Sequence, residues 1–134
     1  MRRILMMGLV SFLLSGCSTS PISASNADPV PPSRFFAFSS NGSSQLVVTR
    51  DSGMFGAGCN HRFYIDGTLA AEFAAGEVAR FGLAPGKHVI GAKPSAACGG
   101  GGLVETEVDL KVGESVRRRL SVTPGGITIT PTAY

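Results

Sequence analysis

The sequence predicts an all-β protein: one antiparallel β-sandwich of seven or eight strands, Ig-like or PEGA-like, behind a signal helix and a disordered tether. Three observations carry this. Short β-like runs alternate with turn signals about every ten residues, the spacing of a sandwich or barrel. Eighteen glycines, eight prolines and no tryptophan in 134 residues supply many turns. After the first 16 residues no stretch keeps an apolar period of about 3.6, so helix is not expected.

The elements follow in chain order. Phe35–Phe38 reads as a first strand or an apolar plug. Ser44–Arg50 is a strand, preceded by the turn-rich SSNGS. His61–Asp66 alternates, with Phe63 and Ile65 on one face and Arg62 and Tyr64 on the other. Asp66-Gly67 is a two-residue hairpin signal, because the turn demands positive φ, and Thr68–Phe73 returns from it. Glu77–Leu83 places Ala79, Phe81 and Leu83 on one face, and Pro85-Gly86 turns the chain into Lys87–Lys93. Leu103–Leu110 sets Val104, Val108 and Leu110 inward and Glu105, Glu107 and Asp109 toward water. Ser115–Val122 and Ile127–Thr130 complete the set. Turns this short imply antiparallel neighbours.

The front end has a different character. Met1-Arg2-Arg3 is a positive start, and the uncharged run Ile4–Gly16 is too short for the roughly 20 residues of a spanning helix. Together they describe a secretory signal, residues 1–16. Leu14-Ser15-Gly16-Cys17 resembles the lipobox of bacterial lipoproteins. That resemblance implies cleavage before Cys17, a diacylglyceryl thioether on its sulfur and acylation of the new amino terminus. Two or three chains hold a protein on a membrane where one holds only marginally. Residue 18 is Ser rather than Asp, which by the same resemblance implies the outer membrane, facing the periplasm. Residues 17–34 are rich in Ser, Pro and Ala and read as a flexible tether, averaging roughly 20–25 Å end to end.

Removing residues 1–16 takes Arg2 and Arg3 with it and leaves 10 basic against 9 acidic side chains, net +1. That balance gives no reason to expect nucleic acid as a partner. The expected partners are the membrane, through the lipid, and another envelope protein.

Tyr64–Ala92 carries Asp66-Gly67, a spacer, Leu83, then Pro85-Gly86-x-His88 and an apolar strand. This pattern is similar to PEGA-type surface β-domains and to a bacterial lipoprotein family of unknown function. The resemblance implies a small β-domain and brings no catalytic residue.

Three cysteines are an odd count in an exported chain. Lipidation of Cys17 leaves Cys59 and Cys98, each beside a glycine-rich loop, in an oxidising compartment. A disulfide is the first reading, and two free buried thiols are another. Cys59, His61, His88 and Cys98 form a second option, a Cys2His2 metal set without a compact C-x-x-C half-site. Cys59 with His61 as nucleophile and base is a third. His88 otherwise packs at a strand start or bonds to its turn.

Arg117-Arg118-Arg119 is the densest charge. It reads as an edge strand guarded by charge, or as a contact for phosphate groups, anionic lipid or an acidic partner. Glu105, Glu107 and Asp109 are the expected carboxylates to pair with it across a hairpin. The glycine loops lack the strand–loop–helix setting of a phosphate loop. The expected function is a non-enzymatic, lipid-anchored envelope protein that uses no cofactor. The alternative is a small-ligand or metal-binding module on the Cys59 and Cys98 loops.

Overall fold

A computed structural model describes residues 19–39, 42–53, 58–98 and 101–134. The signal segment and Cys17 lie outside the described residues. Among the described residues nine strands form two sheets: β1 (Asp28–Pro29), β2 (Ser44–Arg50), β3 (His61–Ile65), β4 (Thr68–Phe73), β5 (Glu77–Leu83), β6 (Gly86–Pro94), β7 (Val104–Leu110), β8 (Ser115–Thr123) and β9 (Gly126–Pro131). One sheet has the order β1-β5-β2-β8-β9 and the other β4-β3-β6-β7. The all-β sandwich is therefore as the sequence predicts, with the two-residue β1 added.

Period-2 alternation builds the core between the sheets. Leu46, Val48, Ala79, Phe81, Leu83, Leu120 and Ile127 come from the larger sheet. Phe63, Ile65, Phe73, Ile90, Ala92, Val108 and Leu110 face them from the smaller one. Phe63 stacks on Phe81 at 5.6 Å between centroids and meets Phe73 edge-on at 5.8 Å. A register shift at Phe63/Tyr64 lets β4 bury both Ala70 and Ala71. Asp66 (φ 49°) and Gly67 (φ 79°) make the β3–β4 turn with positive φ at both central positions, the local geometry that Asp-Gly supplies.

Three expectations need correction. First, the pairings β1·β5 and β2·β8 are parallel. β8 enters the larger sheet from β7 in the other layer, so no short hairpin fixes its direction relative to β2. Second, residues 19–34 are not a free tether. Ser20 and Ser52 exchange backbone hydrogen bonds of 2.8 and 2.9 Å, and β1 adds to β5. Ala27 and Val30 are buried, and Ile22 and Ala24 pack beside Ala27, Val47 and Val78. Few apolar side chains suffice here because they meet a ready apolar strip on the sheet. Third, Val104 is 37% exposed rather than core, because on the inward face opposite Ala92 it borders an open cleft shared with the β8–β9 turn. Of the two readings of Phe35–Phe38, the plug is the one found: Phe35 lies 5.1 Å from the Phe81 ring and bridges Ala71.

Arg34 ties the strap down. Its guanidinium donates to Glu77 at 2.6 and 2.8 Å and to the Glu72 carbonyl at 2.9 Å. That hydrogen bond with Glu77 raises the Arg34 pKa further above its ordinary value, against the smaller opposing effect of burial.

Candidate functional site

Strand alternation brings a polar group into the core at one end of the sandwich. Leu46 and Val48 point inward from β2, so Arg50 does too, and it is 1% exposed. Its Nη1 donates to the carbonyls of Cys59 and Phe73. Burial lowers its pKa to about 10, with the Glu77 carboxylate opposing. His61 opens β3 on the inward face shared with Phe63 and Ile65 and is 2% exposed. Among the described residues its Nδ1 has no hydrogen-bond partner. Burial, and secondarily the Arg50 charge, lower the His61 pKa to about 4, so the ring is neutral at pH 7.

This has a pH consequence. The unfolded chain binds a proton at His61 near pH 6.5 and the folded chain only near 4. The stabilisation is complete above about 6.5 and is lost as pH falls through that window, by roughly 3 kcal/mol in total. Urea unfolding between pH 7 and pH 4 should show this slope, and His61→Phe should flatten it.

His88 behaves oppositely. Its Nδ1 donates to Asp66 Oδ2 (2.6 Å) and its Nε2 to the Ala84 carbonyl (2.7 Å). Two acceptors favour the imidazolium, and the Asp66 bond foremost raises the pKa. Its contribution is complete below the unfolded value and is lost as pH rises through the folded one.

Cys59 and Cys98 form a disulfide with Cα atoms 5.6 Å apart. It joins the loop before β3 to the 3₁₀ turn Ala96–Cys98 after β6, beside the pair His61↔Pro94. Ser95 N–H donates to the Asn60 carbonyl at 2.9 Å and reinforces the junction. A cleft of about 550 Å³ opens on this junction, lined by the disulfide, His61, Pro94, Gly101–Val104 and the β8–β9 turn. Its walls are largely apolar, with the His61 ring as the titratable group among them.

The site residues expected from sequence separate as follows. The disulfide pairing stands, so the free-thiol and nucleophile–base readings of Cys59 do not. The metal set fails as well. His61 pairs with Pro94, whereas His88 pairs with Val108 six residues back along β6, about 20 Å away.

The arginine run is not on an edge, because β8 lies between β2 and β9. Glu105, Glu107 and Asp109 sit on β7 in the other sheet, where Glu107 meets Lys87 at 3.5 Å. Arg119 instead makes a two-pronged pair with Asp51, its NH2 group 2.7 Å from Oδ2. That hydrogen bond raises the Arg119 pKa. Arg118 bonds to the Arg117 carbonyl at 2.9 Å and Arg117 to the Ala133 carbonyl at 3.2 Å. Sequence reasoning passed over Arg50, although its place two residues beyond Val48 in the alternation was a usable signal.

Among the described residues no helix is long and apolar enough to cross a membrane. Comparisons of the chain with protein-family models, curated proteins and solved structures return no match.

Proposed function

We propose that this is a lipid-anchored cell-envelope protein. Its β-sandwich is a non-enzymatic module for contacts with another envelope protein or with the envelope itself, held by Cys17 at the outer membrane and facing the periplasm. The observation that carries the reading is the sequence Leu14-Ser15-Gly16-Cys17 at the end of a short apolar run. Only a thiol supplies the thioether, and small residues before it admit a peptidase. The packed strap supports it, since Thr19 already bonds to Asp51 and only Ser18, a span of at most about 7 Å, lies between it and Cys17. Cys17→Ala should abolish palmitate labelling and release the protein from the membrane fraction. Labelling that survives the substitution overturns the anchor.

A second reading, a small-ligand module, is favoured by the cleft at the Cys59–Cys98 junction. An apolar cleft over a buried, neutral histidine suits a small apolar ligand with one polar group. The chemistry does not extend to a metal, since the sulfurs are bonded to each other and His88 is remote.

A further inference from the structure

A second cleft lies on the outer face of the larger sheet, and it has a different chemistry. In the strand register Val47 sits between Arg80 on β5 and Arg117 on β8. Directly paired residues point to the same face. Neighbouring strands are about 4.8 Å apart, so the two arginines flank Val47 with Cα atoms about 10 Å apart. The strap covers Val47 with Ile22, Ala24 and Ala27 and leaves both arginines exposed. The strap turns back here, with the N–H groups of Asn26 and Ala27 both donating to the Ser23 carbonyl. That turn sets the Ser23 and Ser25 hydroxyls 3.2 Å apart. Ser23, Ser25, Arg80 and Arg117 line a cleft of about 350 Å³, closed by Ala133 and Tyr134.

Other arginines are treated differently by the fold. Arg119, two residues along β8, is neutralised by Asp51, and Arg34 by Glu77. Arg80 and Arg117 are in no ion pair among the described residues. The Arg80 guanidinium, the Arg117 guanidinium beyond the Nη1 that bonds the Ala133 carbonyl, and the Ser23–Ser25 hydroxyl pair surround one space. They match a tetrahedral oxyanion, whose several oxygens accept from several directions.

We propose that this cleft binds a phosphate group, and that the occupant is a phospholipid headgroup of the leaflet holding the anchor. The roof of the cleft is the chain leaving Cys17: six residues, at most about 20 Å, separate that cysteine from Ser23. The headgroup assignment rests on the lipid anchor proposed above; the phosphate chemistry does not.

The test is calorimetric titration of the full-length protein in neutral detergent micelles at low salt, with inorganic phosphate and with dihexanoyl phosphatidic acid. Saturable binding of the phosphatidic acid, at least as tight as that of phosphate, is expected. Arg80→Gln and Arg117→Gln should each weaken it about tenfold, while Lys87→Gln on the other sheet leaves it unchanged. Binding of inorganic phosphate with exclusion of the lipid overturns the headgroup assignment. No saturable binding, or equal loss in all three variants, overturns the site. The Cys17→Ala chain should bind short-chain phosphatidic acid normally, so loss of the anchor and loss of the site are separately visible.

Discussion

Reducing the Cys59–Cys98 disulfide, or replacing both residues with serine, should lower the stability of the domain by about 4 kcal/mol. The cysteines are 39 residues apart, and closing a loop of that length restricts the unfolded chain by roughly this amount. In the folded state little changes, because β3 and β6 are already paired beside the link at His61↔Pro94. The loss is therefore expected mainly in the unfolded ensemble. A small domain holds about 5–15 kcal/mol in all, so the reduced protein should unfold at a much lower urea concentration. Intact mass with and without reductant should differ by two hydrogens. An unfolding midpoint that does not move would refute the assignment of stability to the link.

Arg50→Met should cost about 3 kcal/mol by a different route. Arg50 is wholly buried and satisfies the carbonyls of Cys59 and Phe73. Methionine fills similar volume but removes the charged donor that both buried carbonyls share, at about 1–3 kcal/mol for such a bond. Relief of a buried charge offsets part of that. Arg50→Lys keeps a charge but loses the planar fork that reaches two carbonyls at once, and should fall between the two. The measurement is again the urea midpoint, read at pH 7 where His61 is neutral. A loss below about 1 kcal/mol would show that water replaces the guanidinium without cost.

How much was legible in the sequence depended on whether the cause was local. Asp66-Gly67 announced its hairpin because two positive φ angles are a property of those two residues. Ala79, Phe81 and Leu83 announced their face because alternation is a property of one strand. The cysteine pairing followed from counting. The parallel β2·β8 pairing was not legible, since it depends on which layer β7 leaves the chain in. The arginine run was misread as an edge for the same reason: β9 covers it, and nothing within Arg117–Arg119 encodes a neighbour. The strap was misread from composition. Ser, Pro and Ala dominate it, yet Ile22, Ala24 and Ala27 meet Val47 and Val78 on the outer face of the sheet, and Val30 enters the main core. At the candidate site the histidine and both cysteines were legible as residues, but the wall from the β8–β9 turn was not.

The strap also fixes how the domain would bear a mechanical load applied at Cys17. The pull enters at Thr19 and Ser20, whose hydrogen bonds to Asp51 and Ser52 are met first, and only then reaches the β1 ladder and the Arg34–Glu77 clamp. These attachments are loaded one after another in chain order. Peeling residues 20–34 would pay out about 50 Å of chain while β2 through β9 and their disulfide stay closed. In a chain held at Cys17, the same segment would be a short leash at rest and a reserve of length under tension.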